Sequence, residues 1–252
     1  MPLVSIITIT YNAESVLERT IKSIINQTSK EFEYLVIDGG SKDKTLEICK
    51  KYSSDIDTLV SEKDNGIYDA MNKGLSLAEG KYVWFINAGD EIATKDTFSK
   101  ILGSIKKGTD LIYGDAYFVN DSGNIRGLRS ELTPHNLKPK IVWEDLKFGM
   151  LVCHQSLLVA KELAPAFIRN NLSADIDWEI KSFKKALNPL FMEEPLCKYL
   201  EGGISNQQLS QSLKDRFKVL ASHFGLIPTI LNHLIILTRG IKKIISNRGR
   251  YW

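Results

Sequence analysis

The sequence predicts an α/β fold in which helices flank a mostly parallel central sheet. Four short apolar segments, at residues 4–10, 33–37, 56–60 and 82–86, have the length and composition of buried strands. The stretches between them space their apolar residues as helices do. Because strands that alternate with helices are joined by crossover connections, successive strands are expected to run parallel in one sheet.

Each predicted helix is supported by its own spacing. The apolar positions of the first helix, which follows strand one, are Val16, Ile21, Ile24 and Ile25. The second helix contains Leu46 and Ile48, and Ser41 or Asp43 is the expected N-cap.

After Asp110 the pattern changes. Two short apolar segments, 111–113 and 117–119, lead through the polar run 120–124 into a further strand, which is typical of a β-hairpin.

Length and composition limit the class of protein. A chain of 252 residues with 43% hydrophobic content can bury the core of one α/β domain and a small appendage. Its three cysteines lie far apart and form no Cys-x-x-Cys pair, so neither a disulfide framework nor a thiolate zinc site is predicted. The first residues lead into strand one without a secretion signal, and we therefore expect a cytoplasmic protein.

Charge is distributed unevenly along the chain. Residues 216–252 carry seven basic and no acidic side chains, whereas residues 1–215 carry 26 basic and 30 acidic ones, a net charge of −4. This polarisation indicates that the tail alone contacts an anionic surface. No nucleic-acid-binding motif is present there, so we expect no nucleic-acid partner.

The tail also has an amphipathic pattern. Residues 219–238 lack formal charge, but their histidines, asparagine, glycine and proline make a poor membrane span. One helical stripe is apolar, and the residues opposite it are polar or basic. The apolar stripe comprises Ile227, Ile230, Leu231, Leu234, Ile241, Ile244 and Ile245, and the opposite side comprises Asn232, Arg239, Lys243 and Asn247. Two interpretations remain open, a helix lying on the inner face of the cytoplasmic membrane and a helix that caps the soluble domain.

Three polar turns follow three of the predicted strands. They are Thr10-Tyr11-Asn12, Asp38-Gly39-Gly40-Ser41 and Asn87-Ala88-Gly89-Asp90. In an open parallel sheet the carboxyl ends of the strands bind ligands, because helix N-termini and unpaired amides converge there. Two acids in such turns suit a base and ribose at one end and a divalent cation with a diphosphate at the other. The pattern therefore predicts a nucleotide-sugar site.

These turns, together with Asp64-Asn65-Gly66-Ile67-Tyr68-Asp69-Ala70-Met71-Asn72-Lys73-Gly74, resemble the family 2 glycosyltransferases of bacterial polysaccharide synthesis. The resemblance is strong over the first 120 residues. It continues through Cys153-His154-Gln155, Ala174-Asp175-Ile176-Asp177-Trp178 and Glu201-Gly202-Gly203-Ile204-Ser205, a set similar to the colanic-acid branch of that family. The resemblance implies a GT-A-type fold and an inverting glycosyltransferase that moves one hexose or N-acetylhexosamine, with a UDP-sugar as the expected donor.

The resemblance also implies a catalytic base at the start of a helix on the acceptor side, and the matching position is Asp175. Asp177 is the rival candidate. On a helix these two side chains point about 200° apart, so only one of them can face the donor sugar. The alternative is that both acids merely favour the positive end of the helix dipole.

For the metal, the resemblance implies that Asp90 binds Mn²⁺ or Mg²⁺ together with the diphosphate. The family usually has several acids here, often Asp-x-Asp-Asp, whereas this chain retains one formal charge. The alternative role for Asp90 is to cap the helix that contains Ile101 and Leu102. The thinned motif also motivates a different class of function, a glycosyltransferase-like binding subunit that has lost activity.

The remaining expectations concern the donor. Asp38 is expected to accept a hydrogen bond from the base or ribose, and Thr10 and Tyr11 to form the wall behind the base. Asn65, Gly66 and Asn72 resemble the segment that closes over the donor, although Gly66 is equally suited to a turn. His154 and Gln155 are candidates for contact with diphosphate or acceptor, or for purely structural roles.

The predicted organisation follows from these assignments. Residues 1–205 form the GT-A domain, with the nucleotide-sugar half at 1–115 and the acceptor half at 116–205, and residues 206–252 form the basic tail. The expected acceptor is a hydroxyl of a lipid-linked glycan. A nicotinamide dehydrogenase is excluded because the turn after strand one has no Gly-x-Gly-x-x-Gly. A processive synthase is disfavoured because neither a transmembrane channel nor Gln-x-x-Arg-Trp is present.

Overall fold

The computed structural model describes residues 2–134, 137–203 and 208–246, and of 240–246 only the backbone. The strands are β1 (Val4–Thr10), β2 (Phe32–Asp38), β3 (Thr58–Ser61), β4 (Tyr82–Phe85), β5 (Glu91–Ile92), β6 (Leu111–Tyr113), β7 (Ala116–Val119), β8 (Ile125–Leu128), β9 (Leu157–Ala160), β10 (Pro189–Phe191) and β11 (Cys197–Leu200). The α-helices are α1 (Leu17–Ile25), α2 (Thr45–Lys51), α3 (Ile67–Leu77), α4 (Thr97–Ser104), α5 (Arg129–Leu132), α6 (Ala174–Lys185), α7 (Leu209–Phe224) and α8 (Leu226–Ser246).

Seven strands form the central sheet, in the order β10-β6-β9-β4-β1-β2-β3. The pairs β1–β2, β1–β4, β2–β3 and β6–β10 are parallel, and β9 runs antiparallel to both of its neighbours. The predicted α/β class with a mostly parallel sheet is therefore confirmed. Strand one occupies residues 4–10 as predicted, and the strand expected at 56–60 begins two residues later, at Thr58.

The sheet is buried on both faces, because alternate residues of each strand point to opposite sides. In β1, Val4 and Ile6 join the core beneath α1, α2 and α4. Ile7 and Ile9 join the core beneath α3, α6 and α7. Burial between two layers of helices explains why 4–9 is mainly apolar, with only Ser5 and Thr8 polar, and why all six residues are buried.

A second sheet of four strands has the order β5-β11-β7-β8. Its β7–β8 hairpin confirms the turn expected at 120–124, where Gly123 has a φ of +79° and donates its amide N–H to the Asn120 carbonyl. Residues 111–113 are not part of this unit but belong to the central sheet as β6. The second sheet covers the same edge of the molecule as the polar turns, since Leu200 of β11 contacts the 87–90 turn.

Helix α7 is integrated with the core of the domain. Its Val219 and Leu220 are buried in the cluster that also contains Trp178 of α6. The predicted domain boundary at 205/206 lies outside the described residues, and α7, the first described helix beyond it, packs directly against α6.

Helix α8 turns its polar side toward the protein and its apolar side outward. Thr229 is buried, and His233 packs edge-on against Phe217 of α7. By contrast Ile227, Leu231 and Leu234 are 72%, 56% and 58% exposed. The predicted apolar stripe therefore exists over the described side chains, and it faces away from the domain. Within the described ranges, no helix is long and apolar enough to cross a bilayer.

Candidate active site

The three polar turns meet because β4, β1 and β2 are neighbours and run in the same direction. A cleft of about 410 Å³ opens between this edge, the N-terminus of α6 and the second sheet. Its polar lining includes Tyr68, Asn87, Asp90, His154, Asp175 and Tyr199. Side chains that lie far apart in the sequence are thus brought to one cavity, as expected for the carboxyl edge of such a sheet.

Asp175 lies in the first turn of α6 and borders the cleft. Burial raises its pKa to about 6, although a hydrogen bond from the Ile176 amide, at 2.9 Å, opposes the shift. His154 Nδ1 lies 3.9 Å from its Oδ2, and Tyr68, whose hydroxyl donates to the Leu172 carbonyl at 3.3 Å, lines the same cleft. A carboxylate with a pKa near 6 that faces a cavity can accept a proton at neutral pH.

Asp177 does not line the cleft, and its carboxylate is held by contacts with other side chains of the protein. It is 4% exposed; its Oδ1 lies 2.8 Å from Nε2 of His223 on α7, and its Oδ2 lies 2.7 Å from Nζ of Lys181. Burial alone would raise the pKa of Asp177, but the hydrogen bonds with His223 and Lys181 more than offset it and lower the pKa. Asp177 therefore joins α6 to α7.

Asp90 lies at the floor of the cleft, almost completely buried. Its Oδ2 accepts a hydrogen bond from Gln155 Nε2 and its Oδ1 accepts one from the Leu200 amide, both at 2.9 Å. Burial raises its pKa to about 7. The alternative role as a helix cap is wrong, because α4 begins at Thr97 and Asp90 instead ends a turn before β5.

The 87–90 turn has one further polar atom directed into a buried position. The side-chain oxygen of Asn87 is buried without a hydrogen-bond partner, while its Nδ2 lies 3.1 Å from His154 Nε2. Burial lowers the pKa of His154 to about 4, so the imidazole is neutral at pH 7. Within the described part of the chain, no group of three His, Cys, Asp or Glu side chains is arranged to hold a metal ion. Asn87 and Gln155 each have a buried side-chain oxygen without a hydrogen-bond partner here, and Asp90 adds a carboxylate that already accepts two hydrogen bonds.

Asp38, at the end of β2, has its oxygens occupied by its own loop. It is fully buried and accepts hydrogen bonds from the Gly40 amide at 3.2 Å, the Ser41 amide at 3.0 Å and the Ser61 hydroxyl at 2.7 Å. The Ser41 hydroxyl also donates to it. Four donors leave this carboxylate little capacity for a ligand, and it fixes the shape of the loop at 39–41.

Thr10, Tyr11 and Asp64 lie at the same end, where Asp64 Oδ1 accepts a hydrogen bond from the Gly66 amide at 2.9 Å. The hydroxyl of Thr10 is buried without a partner, and the ring of Tyr11 is 62% exposed. The Asp64 carboxylate occupies the space beside Gly39, where a Cβ would overlap it. Sequence reasoning did not find that Asp64 fills the space beside Gly39.

The segment expected to close over the donor is held by local contacts. Asn65 donates its backbone amide to Asp69 Oδ2 at 3.1 Å. Gly66, with a φ of +105°, precedes α3. Asn72 uses both ends of its side-chain amide on the backbone of Phe167, at 2.9 and 2.8 Å. None of the three lines the cleft.

Tyr68 and Arg129 are among the polar residues of the cleft that sequence reasoning missed. Tyr68 lies in the same motif as Asn65 and Asn72, so that motif was the available signal. Arg129 belongs to no recognised pattern; its guanidinium donates to the carbonyls of Leu151 at 2.6 Å and Met150 at 2.8 Å. These contacts hold the segment that leads to His154.

A family model described as Glycosyl transferase family 2 matches residues 5–161, and the chain therefore belongs to that family. The predicted resemblance is confirmed at this level, and the protein is a glycosyltransferase. It is 31% identical to a PGL/p-HBAD biosynthesis glycosyltransferase of Mycobacterium tuberculosis, over 97% of this chain and 93% of that one. It is also 29% identical to an uncharacterised glycosyltransferase of Methanocaldococcus jannaschii, over 79% of this chain and 70% of that one.

Solved structures show the same GT-A fold. S. aureus TarS 1–349 in complex with UDP-GlcNAc matches with a TM-score of 0.73 at 20% identity, over 96% of this chain and 73% of that one. This chain covers 43% of a longer TarS chain. Glucosyl-3-phosphoglycerate synthase of Mycobacterium tuberculosis, in complex with Mn²⁺, UDP and glucosyl-3-phosphoglycerate, matches with a TM-score of 0.61 at 16% identity, over 89% of this chain and 81% of that one.

Proposed function

We propose that this protein is an inverting glycosyltransferase that moves one sugar from a UDP-sugar to a hydroxyl of a lipid-linked glycan in bacterial surface polysaccharide synthesis. The observation that carries the proposal is the position of Asp175, a carboxylate with a raised pKa in a cleft that also borders the 87–90 turn. The complexes of TarS with UDP-GlcNAc and of the mycobacterial synthase with UDP support the choice of donor.

Asp175 acts as the general base in this proposal. The acceptor hydroxyl forms a bond to the anomeric carbon of the donor sugar, while the bond from that carbon to the diphosphate oxygen breaks. The proton of the hydroxyl passes to Asp175, and the nucleoside diphosphate leaves with the electron pair. A positioned base of this kind contributes roughly 10² to 10⁴ to the rate.

A divalent cation, Mn²⁺ or Mg²⁺, fits the 87–90 turn, because Asp90 offers a carboxylate and Asn87 an unpartnered buried oxygen. A bound cation would neutralise charge on the diphosphate of the donor. Asp90 also fastens the turn to Leu200 and Gln155, so its carboxylate holds the second sheet against this end of the cleft.

The nucleoside is proposed to bind at the other end of the same sheet edge. The exposed ring of Tyr11 provides a surface for the base, and the free hydroxyl of Thr10 provides a hydrogen-bonding group. Asp64 supplies an acceptor beside Gly39, where Asp38 has little capacity left. Asn65 and Gly66 belong to the same loop as Asp64, so the proposed closure over the donor involves their backbone.

Helix α8 is proposed to contact the anionic inner face of the cytoplasmic membrane. A globular domain normally turns the apolar side of a surface helix inward, whereas α8 exposes Ile227, Leu231 and Leu234. Basic residues concentrate in the same part of the sequence. An apolar face with nearby positive charge matches an interfacial helix on anionic lipid, where a lipid-linked acceptor is also located.

The proposed function is tested with a panel of nucleotide sugars in the presence of Mn²⁺. Thermal stabilisation and slow hydrolysis by the wild-type chain are expected for a UDP-sugar, and Asp175→Asn should retain the stabilisation while losing the hydrolysis. Stabilisation without hydrolysis by the wild type would instead support the binding-subunit alternative, which the single acid of the 87–90 turn motivates.

The membrane contact is tested by flotation with anionic liposomes. Leu231→Ser combined with Leu234→Ser should reduce flotation severalfold, and binding by the wild type should fall as salt rises. Leu77→Ser with Leu187→Ser is the matched control, because both leucines are exposed elsewhere on the surface. Equal flotation of the α8 variant and the control would contradict the contact, and truncation after Leu226 should preserve donor hydrolysis.

A further inference from the structure

We infer that Gln155 completes a cation site at the floor of the cleft, where its side-chain oxygen is a ligand beside Asn87 and Asp90. The inference rests on the proposed binding of Mn²⁺ or Mg²⁺ at the 87–90 turn and adds a ligand from a distant part of the chain. Gln155 lies 65 residues after Asp90, yet both line the cleft together with Asn87.

The amide of Gln155 is oriented by its nitrogen. Nε2 donates a hydrogen bond to Asp90 Oδ2 at 2.9 Å, and the residue is 3% exposed. The side-chain oxygen, Oε1, is buried and has no hydrogen-bond partner. Because an amide nitrogen only donates and an ionised carboxylate only accepts, the bond to Asp90 leaves the oxygen of Gln155 as the end that is available to a ligand.

Asn87 repeats this arrangement within the turn. Its Nδ2 lies 3.1 Å from Nε2 of His154, and at this contact the amide nitrogen is the donor and the ring nitrogen the acceptor. Its Oδ1 is also buried without a partner. The short 3-10 helix His154–Ser156 therefore orients the amide of Asn87 and also carries the amide of Gln155.

Gln27 shows how a buried amide is hydrogen-bonded elsewhere in this protein. It is as buried as Gln155, and its Nε2 donates to the carbonyls of Ser23 at 2.9 Å and Thr94 at 2.8 Å. Its oxygen accepts a hydrogen bond from the Phe98 amide at 3.0 Å. An unsatisfied buried oxygen lowers the stability of the fold, so two of them in the lining of one cleft indicate the place of a ligand.

A divalent cation satisfies the three groups at once. Mg²⁺ and Mn²⁺ are bound through oxygens, and carboxylates and amide carbonyls both serve as ligands of such hard cations. A water molecule has two hydrogens and can donate to only two of the groups of Asn87, Gln155 and Asp90. With one carboxylate and two neutral amides, the site should bind the ion weakly by itself and more tightly beside the charge of a diphosphate.

The first test is a proton–nitrogen correlation spectrum of the side-chain amides in the full chain, titrated with MgCl₂ in the absence of nucleotide. The signals are assigned from Asn87→Ser, Gln155→Met and Gln27→Met. Because a cation on the carbonyl oxygen withdraws electron density from the NH₂ group, the signals of Asn87 and Gln155 should shift with one common midpoint, and that of Gln27 should not shift. Unchanged signals at saturating Mg²⁺ would overturn the inference. A shift of Asn87 alone would overturn the role of Gln155 and leave the proposed cation at the turn intact.

The second test separates a ligand from a residue that merely holds Asp90. Free Mn²⁺ is titrated by electron paramagnetic resonance, again without nucleotide. Gln155→Met should weaken Mn²⁺ binding about tenfold, the scale of lost contacts around bound metals. Gln155→Glu should tighten it severalfold, because the glutamate keeps an oxygen in place and adds a negative charge.

Gln27→Met is the matched control for this titration, and it should lower the melting temperature without changing the affinity for Mn²⁺. If Gln155→Glu weakens Mn²⁺ binding as much as Gln155→Met does, Gln155 acts only through its hydrogen bond to Asp90 and the inference is overturned. Absence of UDP binding by the wild type would count against the proposed donor, while both ion titrations would still decide the role of Gln155.

Discussion

The two ends of the proposed donor site each have a buried acid, and the two acids differ in how many hydrogen bonds they receive. Asp38, at the proposed nucleoside end, accepts four hydrogen bonds, from its own loop and from Ser61 at the end of β3. Asp175 at the other end accepts fewer, and burial raises its pKa to about 6. A carboxylate whose oxygens all accept hydrogen bonds fixes the shape of the loop around it. A carboxylate with few hydrogen-bond donors around it keeps the capacity to take up a proton.

The largest expected effect is at the end that contains Asp175. Asp175→Asn should lower transfer, or hydrolysis of the donor, by roughly 10² to 10⁴ because the amide cannot accept a proton. Donor affinity by calorimetry and the melting temperature should stay near the wild-type values. Asp177→Asn is the matched control, with little effect on the rate. A large loss in Asp177→Asn alone would move the base to that residue and reverse the comparison.

A smaller effect, on stability, is expected at the end that contains Asp38. Asp38→Ala leaves two amides and two hydroxyls without their acceptor, and unsatisfied buried donors should lower the free energy of unfolding by at least about 2 kcal/mol. Urea denaturation measures this change. Asp64→Ala should weaken binding of UDP instead, with unfolding little affected. If Asp38→Ala is stable but no longer binds UDP, the carboxylate contacts the nucleotide directly.

The smallest expected effect concerns Asp90, which combines features of both ends. It accepts two hydrogen bonds yet has a pKa of about 7. Asp90→Ala should remove the Mn²⁺-dependent part of the UDP affinity, about tenfold, the scale of lost contacts around bound metals. Calorimetry with and without chelator measures it. If the dependence on Mn²⁺ survives in the variant, Asp90 serves only to hold the turn.

The sequence predicted the parts of this site that depend on local pattern. The mainly apolar segment 4–10 indicated a central strand because both faces of the sheet are covered, and the acid at the start of α6 was found through a motif. Tyr68 and Asp64 were missed because their roles depend on contacts with Leu172 and Gly39. Those partners are separated from them by 104 and by 25 residues, and no local pattern carries that information. The capping role for Asp90 failed because α4 begins at Thr97, seven residues after Asp90, and β5 lies between them.

The outward-facing leucines and isoleucines of α8 also have an evolutionary consequence. A side chain that packs on nothing within its own domain can be replaced by a polar residue without loss of folding stability, so mutation alone should convert such a stripe to serine, lysine and glutamate over time. Persistence of aliphatic residues at 227, 231 and 234 in close orthologues would therefore record selection for something other than folding. Drift to polar residues at these three positions, with the inward-facing Thr229 retained, would mean that the stripe has no use to the cell.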